Sequence, residues 1–223
     1  MKKTNAAYYF HLDPAPVIRQ CIVFYMIGAA GFIFPLTRTF FIHLTLTALA
    51  LSFLVLLFFQ SFSHVKRDLL VLTGIFLTGF IIEAIGVNTG LIFGSYRYGE
   101  TLGFKIYQTP LYIGVNWVFI TYTALSLAEK ISKRQHLQFL LAPSLMLIYD
   151  MLLEQLAPKM DMWHWKHSSA PLQNYMAWWL IGLVFTMVLR ISRMDTKNPL
   201  AIPLFICQFV FFFLLYLGLN LVE

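Results

Sequence analysis

Two stretches of this chain place a carboxylate inside an apolar run, each the same distance ahead of a pair of aromatic residues. Glu83 is followed thirteen residues later by Tyr96, with Tyr98 just beyond, and Asp150 is followed thirteen residues later by Trp163, with Trp165 just beyond. Each copy then reaches a proline, Pro110 or Pro171, and seven residues on a tryptophan, Trp117 or Trp178, with Asn116 and Asn174 close by. An acid at bilayer depth is costly to keep and defaults to a functional role. Aromatic faces beside it suit a chemistry in which positive charge develops. Burial disfavours the ionised form of a carboxyl, and a neutral buried acid can donate its proton. Glu154, four residues after Asp150, shares one helix face with it and joins the set as a third carboxyl.

The elements that carry these residues follow from composition. With 59% hydrophobic and 12% charged residues, the chain lies far outside the soluble norm and reads as an all-α, polytopic membrane protein. Runs of spanning length extend over Val17 to Pro35, Phe40 to Phe59, Leu69 to Val87, Leu111 to Ala128, Leu137 to Leu156, Asn174 to Leu189 and Pro203 to Leu219. Seven transmembrane helices are therefore expected, in a single domain covering residues 1–223, with no Gly/Ser-rich linker. No cleavable signal is expected, because the stretch from Met1 to Asp13 is polar and a span of full length follows it. The motif loops join spans three and four and spans five and six, which run in the same sense, so the repeat reads as a parallel duplication of a helix-loop-helix unit. The match is partial: Pro110 lies twelve residues after Tyr98, but Pro171 only six after Trp165.

Basic residues set the expected orientation, since they concentrate in cytoplasmic loops. Lys2, Lys3, Arg19, Lys66, Arg67, Lys130, Lys133, Arg134, Arg190, Arg193 and Lys197 fall on the N-terminal side, against Arg38, Arg97, Lys105, Lys159 and Lys166 on the other. The N-terminus is expected in the cytoplasm, the protein in the cell (inner) membrane, and both motif loops outside. The net charge of +6 is then explained by topology and contact with anionic membrane lipids, and gives no argument for nucleic-acid binding.

Other readings of the same residues stay open at this stage. The acids can pair with Arg97, Lys159 or asparagines and merely fix packing, and the four loop aromatics can form an interfacial belt. Gly86, Gly90 and Gly94 recur every four residues and allow close approach of a neighbouring helix or a flat ligand. His164 and His167 give only a weak metal signal, so no metal is assigned. His43, beside Thr45 and Thr47, reads as an interior residue, and Cys21 and Cys207 read as packing residues. Glycine-rich nucleotide loops, a GxSxG elbow, an Asp-rich diphosphate motif and a lysine in the last span are all missing from the sequence. No cofactor is expected.

The stretch from Glu83 through Gly86, Gly90, Gly94, Tyr96 and Tyr98, followed by Thr109-Pro110 and Asn116-Trp117, resembles the membrane carotenoid hydratases of bacteria and haloarchaea. So does Asp150 through Trp163-His164-Trp165, Pro171, Asn174 and Trp178. The resemblance covers Ile81 to Trp179, and its first block is the more specific. It implies addition of water, without a redox cofactor, across the terminal double bond of an acyclic carotenoid end such as those of lycopene, γ-carotene or bisanhydrobacterioruberin, giving a tertiary alcohol. On that reading Glu83, Asp150 and Glu154 are the catalytic candidates. Tyr96, Tyr98, Asn116, Trp117, Trp163, Trp165, Asn174 and Trp178 are the substrate-binding ones. A polyene matches the roughly 30 Å hydrocarbon core in length, so its end can reach an interface where water is available. The alternatives are a carotenoid end-group cyclase, which shares the protonation step, a proton-coupled transporter, and a pigment-binding protein without turnover.

Overall fold

The computed structural model describes residues 12–167 and 169–222. Lys2 and Lys3, which enter the orientation argument, lie outside the described residues. Seven helices are present among those described: α1 Pro14–Ile33, α2 Pro35–Phe58, α3 Val65–Thr89, α4 Tyr112–Ile131, α5 Gln135–Glu154, α6 Leu172–Ile191 and α7 Ala201–Val222. They match the seven runs in the sequence, with shifted ends. The largest shift is at α2, which starts at Pro35 rather than Phe40. Pro35 occupies its first turn, a position that needs no amide donor, and Phe34 alone separates α1 from α2. Thr37 Oγ1 donates to the Gly31 carbonyl at 2.7 Å and Arg38 Nε to the Phe32 carbonyl at 3.2 Å. The polar residues that interrupt the apolar run thus cap the carbonyls that the end of α1 leaves open.

Six of the helices are long and apolar enough to cross a membrane. The other, α4, has 20 residues, enough for about 30 Å at 1.5 Å per residue, but it is more polar because it is enclosed. It packs against α2, α3, α5, α6 and α7, and Thr121, Thr123, Ala124, Leu125 and Ala128 are buried along it. Thr123 and Ser126 return their hydroxyls to backbone carbonyls, which satisfies polar groups where no water reaches. The outer helices instead present Leu70, Ile81, Leu180 and Val184 at the surface, as a lipid-facing wall requires. The protein is a multi-pass all-α membrane protein.

Short strands join the loops at one end of the bundle, here termed the motif end. Strand β1 (Tyr96–Tyr98) pairs antiparallel with β4 (Trp163–Trp165), setting Tyr96 opposite Trp165, Arg97 opposite His164 and Tyr98 opposite Trp163. The strands β2 (Lys105–Ile106) and β3 (Thr109–Pro110) form a hairpin whose turn residues Tyr107 and Gln108 both have positive φ, the geometry that tight hairpins favour. An antiparallel pair centred on Arg97 and His164 is what a two-fold axis along the bundle produces when it relates α3-β1-α4 to α5-β4-α6. Trp117 and Trp178, the matching tryptophans of the two copies, stack on each other with centroids 4.3 Å apart and planes 27° apart.

Candidate active site

Each carboxyl is positioned by its helix and met by side chains from the loop that follows. Glu83, one and a half turns before the end of α3, is 4% exposed. Its Oε2 accepts hydrogen bonds from the hydroxyls of Tyr96 at 2.6 Å and Tyr98 at 2.8 Å, and its Oε1 accepts one from Trp117 Nε1 at 3.2 Å. Trp117 reaches it because Gly79 lacks a side chain: a Cβ there would lie 2.8 Å from the indole Cγ. Glu154 closes α5, and its Oε2 accepts from Trp163 Nε1 at 3.1 Å and Trp165 Nε1 at 2.5 Å. Asn174 Nδ2 donates at 3.2 Å both to Glu154 Oε1 and to Asp150 Oδ2, tying the two acids together. Asp150 is fully buried, and its Oδ1 has no hydrogen-bond partner among the described residues.

All these partners are neutral donors. Glu83 and Glu154 are each surrounded by groups that give hydrogen bonds, the setting of a carboxylate acceptor. Asp150 receives one bond and keeps an oxygen unclaimed. The phenols of Tyr96 and Tyr98 lie in the strand loop. Burial first, and the Glu83 carboxyl beside them second, push both well above the ordinary tyrosine value, so they remain hydroxyl donors.

The three acids line one cavity of about 30 Å³ together with Tyr96, Tyr98, Asn116, Trp163, Trp165, Asn174 and Trp178. Since a water needs about 10–15 Å³ of such space, this volume has room for water and is too small for an isoprenoid end unless the wall moves. Of the catalytic and substrate-binding candidates named from the sequence, Trp117 alone does not line the cavity; it stands behind, bonded to Glu83 and stacked on Trp178. The cavity also takes Phe93, Ile113 and Leu153, which the sequence reading did not single out. Phe93 had a signal in Gly86, where a Cβ would meet its ring at 2.4 Å.

Equal spacing makes Asp150 the counterpart of Glu83, but the hydrogen bonds give the loop-binding role to Glu154. The reason is helix length: α3 continues six residues past Glu83 to Thr89, whereas α5 stops at Glu154, so its loop folds back nearer the helix end. The aromatics point inward to the acids; they do not form a belt. Arg97 sits opposite His164 in the strand pair, and Lys159 donates to Asn220 at 3.2 Å. Gly86 admits Phe93, Gly90 caps α3 with φ +69, and Gly94, with φ +99, lies against Pro171, so the approach these glycines permit is made by the chain itself. His164 Nε2 bonds Asp161 Oδ1 at 2.9 Å, and among the described residues no three His, Cys, Asp or Glu side chains group as a metal site.

A polytopic helical membrane protein with buried carboxyls ringed by indoles and phenols defines a class suited to proton chemistry on an apolar molecule. Residues 38–223 match the family described as carotenoid biosynthesis protein, and the chain belongs to that family. No curated protein and no solved structure matches it.

Proposed function

We propose that this protein is a carotenoid hydratase, adding water across the terminal carbon-carbon double bond of an acyclic carotenoid. The observation that carries this reading is the acid-lined cavity with room for water, set among aromatic faces in a member of a carotenoid biosynthesis family. Asp150, whose Oδ1 is unclaimed, delivers its proton to the less substituted alkene carbon, the π pair forming the new C–H bond. The tertiary cation on the neighbouring carbon is stabilised by indole and phenol faces at about 0.5–2 kcal/mol each. A water attacks that carbon through oxygen and loses a proton to a carboxylate, with Glu154 and Glu83 as the acceptors in reach. One water is consumed, one tertiary hydroxyl forms, and proton transfer among the acids through water restores Asp150.

Asn116 and Asn174 orient the water and the acids in this scheme. The distribution of basic residues supports an inner-membrane protein with the N-terminus in the cytoplasm and the motif end outside. The test is mass spectrometry of pigments from lycopene- and γ-carotene-producing hosts, with and without this chain, grown in oxygen-18 water. A new pigment heavier by one labelled water is the expected product. Unchanged mass with altered retention would replace hydration by end-group cyclisation, and an unaltered pigment profile in both hosts would overturn the reading.

A further inference from the structure

The acid cavity is too small for the substrate that the proposed function requires, and a larger space lies elsewhere in the bundle. Between α1, α2 and α7 lies an apolar groove of about 370 Å³, within the roughly 300–1,000 Å³ of small-molecule sites. Phe24, Ile27, Phe32, Phe41, Leu44 and Phe211 are among its walls. Its buried hydroxyls are already engaged: Tyr25 bonds Ser52 at 2.6 Å, and Thr45 bonds the Phe41 carbonyl at 3.3 Å. The site therefore offers aromatic and aliphatic contact and selects a hydrocarbon. Phe24, Ile27 and Leu44 are also exposed on the bundle surface, so the groove opens sideways toward the lipid.

A further space lies between this groove and the acids, sharing walls with both. A narrow space of about 20 Å³ shares Leu49 and Phe212 with the groove, and shares Ile113, Asn116, Leu153 and Trp163 with the acid cavity. We infer that the polyene lies in the α1-α2-α7 groove and that its end reaches the acids past Leu49 and Phe212. This inference rests on the carotenoid reading and adds to it where the chain is held and which residues gate its end. Loop and groove helix also meet directly: Leu46 of α2 packs where a Cβ on Gly103 would sit, at 2.5 Å, and the loop residues Leu102 and Met162 line the narrow space. The indole of Trp163 belongs to both the passage and the acid cavity, so the arriving end meets an aromatic face and an acid together.

The test measures lycopene retained by detergent-purified protein and its turnover, in wild type and in two groove-filling variants, Ala48→Phe on the floor and Leu44→Trp at the exposed rim. Gel filtration confirms that each variant is intact, and the rim position is exposed enough that at least one remains folded. Both are expected to lose lycopene retention and turnover by about tenfold or more, equivalent to about 1.4 kcal/mol per factor of ten, while Asp150→Asn retains the pigment without converting it. Wild-type hydration that persists undiminished in folded groove-filled variants would overturn the groove and leave the hydratase reading standing. Pigment held by wild type and lost from both variants, with no hydrated product from wild type, would keep the groove and overturn hydration. Release of lycopene from wild type by added phospholipid at equal concentration would mark the groove as an acyl-chain surface only, and overturn it as a substrate site.

Discussion

The two ends of the bundle keep their buried acids in opposite ways. At the end opposite the motifs, Asp68 is fully buried beside Arg67 at 2.6 Å, and Glu129 pairs with Arg190 at 2.6 Å and accepts from Thr196 at 2.6 Å. At the motif end, the partners of Glu83, Asp150 and Glu154 among the described residues are tyrosine, tryptophan and asparagine. An arginine keeps its charge at any ordinary pH, so Asp68 and Glu129 each sit beside a permanent countercharge. Dipolar donors instead hold a carboxyl by hydrogen bonds, without a full countercharge. One end uses Glu129 as a fastener for the 193–198 segment through Thr196, beside Gln60, Tyr122 and Ser126, which donate to the segment's carbonyls; the other holds three carboxyls among neutral donors, the set that the proposed reaction draws on.

Substitutions can break this contrast. Asp150→Asn is expected to have the largest effect, removing product formation by about 10²–10⁴-fold, the usual worth of a positioned acid, with protein yield unchanged; pigment analysis measures it. Glu83→Gln and Glu154→Gln should each reduce turnover by about tenfold to a hundredfold and leave the melting temperature near that of wild type. Glu129→Gln should do the reverse, costing about 1–3 kcal/mol of stability for a half-desolvated ion pair with little change in turnover per folded molecule, read by thermal unfolding in detergent. If Glu129→Gln silenced the enzyme while Glu154→Gln did not, the division of labour between the ends would be wrong.

Two smaller changes sharpen it. Gly99→Ala would drive a Cβ to within 2.1 Å of the Asp161 carbonyl oxygen, so the strand pair must shift, at about 1–3 kcal/mol, and turnover should fall together with stability. Asp161 offers the mildest test. Its hydrogen bond to His164, followed by the Glu100 amide, holds its carboxyl below the ordinary aspartate value. A lowered folded value contributes stability above the unfolded one, near about 3.9, and loses it as pH falls through the folded value. Asp161→Asn should therefore narrow the stability gap between pH 7 and pH 3 slightly, seen as a small change in the two melting temperatures.

Much of this was legible in the sequence because the bilayer imposes a simple grammar: an apolar run of spanning length has to be a helix, and an acid within it has to have a purpose. The seven helices and three acids follow directly. The pairing of β1 with β4 does not, since three-residue strands leave no periodicity and their partners lie in a different loop. The role of Glu154 was hidden for a related reason: spacing in sequence equals spacing in space only while both copies remain helical, and α5 ends where α3 continues. The α2 start at Pro35 was missed because threonines and an arginine at a helix tip look like a loop until their hydrogen bonds to the preceding carbonyls are seen.

The antiparallel join between Tyr96–Tyr98 and Trp163–Trp165 also bears on how the molecule is made. Tyr96 must wait for Trp165, 69 residues later in the chain, which at about 5–20 residues per second of synthesis leaves the first motif alone in the membrane for several seconds. During that interval Glu83 already has its own tyrosines and Trp117, whereas the cavity has no second wall and β1 has an open edge. The first copy is thus born with its acid already capped. The three acids share one cavity only when the ribosome has delivered the second copy, so on the proposed reaction the order of translation delays the site until both halves are present.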